Sequence, residues 1–308
     1  MTEIQAHLEV FLQQLLNGLT IGMVYALIAL GYTMVYGVIQ LINFAHGELF
    51  MVGAYFALSS IWLCHLIIPG APFWIVLIVL IVLSMLGSSL MGATIEKVAY
   101  KPLRNSPRLA ALITSIGVSF FLQNAVMLAY GSREQAVPEI IPTVRFSLPL
   151  FSFSLMQVII FVTSVSLMFF LTWFVKNTRM GKAMRACSEN FEAAHLMGIS
   201  VNKVIRATFV LGSALAAVGG ALFGMYYGSV NFHDGYLAGL KAFTAAVFGG
   251  IGSIPGAMLG GILLGVFEGL GAGYISSEWK DVFAFVLLGL VLIFKPSGLF
   301  GENLPDKV

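Results

Sequence analysis

Polar residues in this chain come in clumps, separated by long apolar runs. A bilayer core is about 30 Å thick, and about 20 apolar residues cross it as helix. By that measure nine segments stand out, at roughly 10–36, 44–66, 73–95, 109–130, 155–175, 205–228, 238–251, 255–273 and 281–297. The third, FWIVLIVLIVLSMLGSSLMGATI, carries no charge. The seventh is the weakest, because about 14 residues of helix reach only about 21 Å, and it is expected to be a half-helix or a re-entrant piece. The pattern predicts an all-α, polytopic transmembrane bundle of eight or nine segments. It forms a single domain over 1–308, with short amphipathic helices in the connection at about 176–204. The other long connection, GSREQAVPEIIPTVRFSLPLFSFS (131–154), alternates polar and apolar positions between prolines. It reads as a short hairpin or lid, or as a plain connector.

Composition sharpens this. Hydrophobic residues make up 59% and charged residues 10%, against about 25% charged in a soluble domain. Such a chain has no polar skin to offer water, which excludes a soluble enzyme and a nucleic-acid binder. The lipid bilayer is its surroundings. Twelve of the 16 basic residues fall in three stretches: Lys97, Lys101, Arg104 and Arg108; Lys176, Arg179, Lys182, Arg185, Lys203 and Arg206; and Lys295 with Lys307. Basic loops stay in the cytoplasm. That puts the N-terminus outside, and nine segments put the C-terminus inside. Cys64 and Cys187 then lie near opposite faces, too far apart to pair.

Chemistry is sparse. In the second basic loop Met184, Cys187, Phe191, Ala194 and Gly198 recur at spacings of three and four, a helical apolar stripe flanked by Arg185, Glu189 and Glu192. Such a stripe suits either a helix lying on lipid or a docking helix for a soluble partner. Polar and ionisable groups inside membrane segments are functional candidates by default. Here they are Asn43, His46 and Glu48 at the start of the second segment, together with Lys241 and Glu268. Helix-start chemistry also accounts for the first three, and a structural ion pair accounts for the last two. Asn43-Phe44-Ala45-His46-Gly47-Glu48-Leu49 is echoed by Asn231-Phe232-His233-Asp234-Gly235-Tyr236-Leu237. Gly252, Gly256 and Gly260 fall at intervals of four, as do Gly261, Gly265, Gly269 and Gly273. Such rows let helices approach closely in lipid, within the chain or against a partner. Pro255 marks a tight turn or an unwound stretch lining a path. The five histidines are scattered, so no metal site is expected. No nucleophile–base set or phosphate-binding loop is legible either.

Three stretches are more specific: GYTMVYGVIQLINFAHGELFMVGAY (31–55), RMGKAMRAC (179–187) and KAFTAAVFGGIGSIPGAMLGG (241–261). With Glu192-Ala193-Ala194 followed three residues later by Gly198, they resemble the H-type permease subunit of the high-affinity branched-chain amino-acid ABC importers. The resemblance runs over essentially the whole chain. It departs from the fuller loop signature of some importers in having no Leu-Pro after Gly198. It implies a transport permease of the bacterial inner membrane that performs no covalent chemistry and binds no cofactor. ATP and Mg2+ would sit on two separate ATPase subunits, docked at Met184, Arg185, Cys187, Phe191, Glu192, Ala194 and Gly198. A second related permease and a periplasmic or surface binding protein complete the implied assembly. The cargo would be leucine, isoleucine and valine. The same family fits urea, an amide or another amino acid, and a more remote alternative is an ATP-independent secondary transporter or channel.

Overall fold

The structure, a computed structural model, describes residues 3–104, 106–295 and 297–301. Lys307 lies outside the described residues, as do the side chains of Glu3 and Arg108. The helices follow in order: α1 (Glu3–Ile39), α2 (His46–Ile67), α3 (Phe73–Ile95), α4 (Arg108–Tyr130), α5 (Leu155–Asn177), α6 (Arg179–Glu189), α7 (Phe191–Leu196), α8 (Val201–Tyr227), α9 (Asp234–Gly249), α10 (Ile254–Tyr274) and α11 (Lys280–Phe294). Seven of them are long and apolar enough to cross a membrane. The seventh and ninth sequence segments became α9 and α11, of 16 and 15 residues. At 1.5 Å per residue each reaches only about 22–24 Å, less than the roughly 30 Å of a bilayer core.

α1 and α8 are apolar on all sides and form the centre, as uniformly apolar helices do; every residue from Met23 to Leu30 is buried. α2, α9 and α10 pack around them, while α3, α4, α5 and α11 keep much apolar surface open. Glycines set the closest approach. The row Gly261, Gly265, Gly269 and Gly273 lies on Gln14, Gly18, Gly22 and Ala26 of α1, and a Cβ on Gly269 would stand 2.7 Å from the Cα of Gly18. Gly256 and Gly260 instead face Gly249 and Ala245 of α9. The row therefore packs within the chain. Gly252 does not belong to it: it sits in the turn 250–253 at φ +96°, with open space where a Cβ would go. That turn is tight. Ser253 caps α10 through the Gly256 N–H at 3.2 Å, and Pro255 occupies its first turn, where a missing N–H costs nothing.

Two ends are thus defined. One collects the turn 40–45, the segment after α3, the α6–α7 hairpin and the turn 250–253, where Leu299 and Phe300 donate backbone N–H groups to Phe248 and Gly249. The described residues of all three basic stretches lie at this end. The connection 131–154 shapes the other end and does form a hairpin, β2 (Arg145–Ser147) with β3 (Ser152–Ser154). Its first part, β1 (Gln135–Ala136), pairs with β4 (Ser229–Val230), the strand that follows α8. The hairpin leads into α5 through a capping box between Ser154 and Gln157. It also borders a cavity of about 630 Å³ shared with Gln13, Asn17 and Tyr226.

Candidate functional site

α2 and α9 begin with the same turn. Asn43 Oδ1 accepts the Ala45 N–H at 3.1 Å, and Asn231 Oδ1 accepts the His233 N–H at 3.0 Å. His46 and Asp234 then donate their N–H groups back to the Asn43 and Asn231 carbonyls at 3.0 and 3.1 Å. Short polar side chains favour such turns over continued helix, so the echoed text has a physical basis. The two starts also touch. Gly47 crosses Gly235 and Gly239 so closely that a Cβ on Gly47 would collide with backbone.

Around this crossing the side chains are buried. Glu48 is fully enclosed, and its Oε1 accepts from Ser119 Oγ at 2.8 Å and Gln123 Nε2 at 2.7 Å, both on α4. Its Oε2 has no hydrogen-bond partner among the described residues and lies over Gly235. His46 stands edge-on to Tyr32 at 4.6 Å, its Nε2 pressed against Gly31. Asn43 also accepts from the Tyr100 hydroxyl at 3.0 Å. Asn43, His46 and Glu48 therefore share one buried junction, whereas Lys241 and Glu268 sit in another.

Lys241 Nζ lies 2.7 Å from Glu268 Oε1 and 2.6 Å from Asp281 Oδ1, and donates to Tyr25 at 3.3 Å. This ties α9, α10, α11 and α1 together. The expected pair is present, with Asp281 as a third member that sequence reasoning missed. Ser119 and Gln123 were missed too, although Ser115, Ser119 and Gln123 recur at intervals of four along an otherwise apolar segment. That spacing is a polar stripe on one helix face.

The loop at the basic end holds two helices. Asn190 is extended and breaks them apart, and its Oδ1 caps α7 through the N–H groups of Glu192 and Ala193 at 2.8 and 3.0 Å. The break splits the expected stripe. Met184, Cys187 and Ala194 are buried within this chain, in the same core cluster as Val204, Ile205 and Phe209 of α8. Burial also pushes the Cys187 thiol pKa upward. These three residues anchor the hairpin on the chain's own core and leave almost no apolar surface of their own exposed. Phe191 is half-exposed; Arg185 and Glu192 are exposed, with Arg185 reaching the Lys176 carbonyl at 3.3 Å. Gly198 turns the chain at φ +80° with no neighbour at its Cβ position. The open apolar surface belongs to Leu196 and Met197, 87% and 82% exposed. Beside them is a cavity of about 380 Å³ lined by Phe191, Glu192, His195 and Asn202. Among the described residues no three His, Cys, Asp or Glu side chains converge.

A multi-pass helical bundle with small-residue interfaces and buried polar junctions is the architecture of a polytopic membrane protein. Residues 14–292 match the family described as branched-chain amino acid transport system / permease component, and the chain belongs to that family. It is 50% identical over 303 residues to the high-affinity branched-chain amino acid transport system permease protein BraD of Pseudomonas aeruginosa, covering 97% of this chain and 98% of that one. It is 49% and 48% identical over 306 residues to the LivH proteins of Salmonella typhimurium and Escherichia coli K12, with the same coverage.

Proposed function

We propose that this chain is one of two related permease subunits of an ATP-driven importer in the bacterial inner membrane, and that its cargo is leucine, isoleucine and valine. Family membership over nearly the whole length carries this reading. In it the N-terminus faces outward and the basic end faces the cytoplasm, as the clustering of Lys and Arg there supports. Two separate ATPase subunits hold ATP and Mg2+ and dock on the α6–α7 hairpin. A binding protein delivers the amino acid to the opposite end. ATP binding and hydrolysis shift the hairpin and rock the helices between outward- and inward-open arrangements.

The dock itself is read as the projecting pair Leu196–Met197 and the groove beside it. Large exposed apolar side chains rimmed by charge mark a protein contact, and Glu192 disfavours an anionic lipid surface. The test is Leu196→Asp with Met197→Asp. Both side chains point away from the chain's own core, so the variant folds. Its ATPase subunits should no longer co-purify, and leucine uptake should stop. Unchanged co-purification would remove the dock from this position.

A further inference from the structure

The segment after α3 has a function that neither its sequence nor the family name assigns. α3 does not end at Ile95 but runs on into a π-helical turn, Glu96–Tyr100, and a single 3-10 turn, Lys101–Leu103. π-turns are rare and concentrate at functional sites. This one presents a side chain at each of its ends, and each contacts a different part of the chain.

Glu96 is 1% exposed. Its Oε1 accepts from Arg104, and its Oε2 lies 3.7 Å from Arg206 Nε on α8. Arg104 also donates to Asn202, the second residue of α8. Asn202 lines the cavity beside Phe191, Glu192 and His195 of α7. The Glu96 end of the turn therefore grips α8 directly behind the α6–α7 hairpin. At the other end Tyr100 packs on Phe209 of α8 at 5.1 Å and donates its hydroxyl to Asn43 Oδ1. That same oxygen accepts the Ala45 N–H and so shapes the turn that starts α2, three residues before Glu48. One short, irregular piece of backbone thus joins the hairpin's base to the buried α2–α9 crossing. Glu96 is thus hydrogen-bonded to Arg104 with Arg206 near its second oxygen, and a π-turn can lose its extra residue to regular helix.

We propose that Glu96 and Tyr100 are positioning residues of a relay, in which displacement of the α6–α7 hairpin moves the π-turn and the π-turn moves the start of α2. The relay rests on the reading of α6–α7 as the ATPase dock. Neither residue touches ATPase or cargo in it.

The experiment uses the full assembly in proteoliposomes with its binding protein, and compares wild type with Glu96→Gln and Tyr100→Phe. Tyr100→Phe deletes one hydroxyl and keeps the ring, so it remains informative should Glu96→Gln fail to assemble. Measured are ATPase co-purification, melting temperature, ATP hydrolysis and leucine uptake. Both variants should keep co-purification and hydrolysis, with only a small fall in melting temperature, while ATP consumed per leucine rises several-fold. Combining Tyr100→Phe with Asn43→Ala should add nothing to the larger single effect. A ratio of hydrolysis to uptake unchanged in both variants overturns the relay while leaving the dock intact. If the wild-type assembly itself fails to couple hydrolysis to uptake, the failure lies in the importer reading and the relay falls with it.

Discussion

The starts of α2 and α9 are built from one text and handle charge in opposite ways. Both open with an Asn-centred turn, and they meet through Gly47 and Gly235. At α9 the acid of the turn stays local: Asp234 Oδ2 accepts the Asn231 N–H at 2.7 Å. Two turns further on, Lys241 is held by Glu268 and Asp281. At α2 the acid comes two positions later and leaves its own helix, where Ser119 and Gln123 hold it without any cation. A charge buried in low dielectric is tolerated only with partners. α9 solves this with opposite charge and becomes a tie between four helices. α2 solves it with neutral donors on α4; Glu48 and Glu268 each keep one oxygen without a hydrogen-bond partner among the described residues. The first arrangement is a structural fastening. The second places its carboxylate beside the α2–α9 crossing, over Gly235.

The contrast predicts a graded set of effects. Lys241→Met strands Glu268, and breaking a buried pair costs about 3–5 kcal/mol. Of the substitutions in this series, it should lower the melting temperature in detergent the most. Lys241→Met together with Glu268→Gln should recover much of that loss; a double variant no better than the single one would mean the two do not act as a pair. Gly47→Leu should follow, since overpacking costs about 1–3 kcal/mol, and here the obstacle is the backbone of α9. Gly117→Ala on α4, where a Cβ meets open space, should shift stability by no more than about 0.5 kcal/mol. Equal effects at the two glycines would deny the crossing. Glu48→Gln keeps an acceptor for Ser119 and Gln123, so its stability loss should stay below about 1.5 kcal/mol, while leucine uptake drops. A large fall in melting temperature would make Glu48 a fastening like Lys241. Asn231→Ala removes one acceptor and should cost about 0.5–1.5 kcal/mol. Asn43→Ala should cost more, because Asn43 Oδ1 also takes the Tyr100 hydroxyl.

Much of the fold was legible in sequence because lipid leaves few options: apolar runs of sufficient length must become helices. The short α9 was foreseen from its length. The Lys241–Glu268 pair followed from two charges at matching depth in neighbouring segments. The glycine row was legible as packing, but its partner was not. Gly18 and Gly22 are ordinary glycines in an apolar run, and only the fold shows that they receive Gly265 and Gly269. Gly252 was assigned to the row by spacing alone, and spacing does not register that a turn interrupts the helix. The loop stripe was legible only in part, for a related reason. Periodicity finds an apolar face without saying what covers it, and the chain's own core takes in Met184, Cys187 and Ala194. Glu96 and Arg104 read as parts of a basic loop. Nothing in their spacing signals a π-turn, which depends on contacts with α8.

The central claim is that this chain moves leucine, isoleucine or valine only as part of an ATP-driven assembly. Proteoliposomes holding this chain with its partner permease and ATPase subunits, supplied with a loaded binding protein, test it directly by uptake of labelled leucine. The account predicts accumulation that requires ATP and every subunit, and none from this chain alone under an ion gradient. Accumulation by the isolated chain, driven by the gradient and indifferent to ATP, would contradict it.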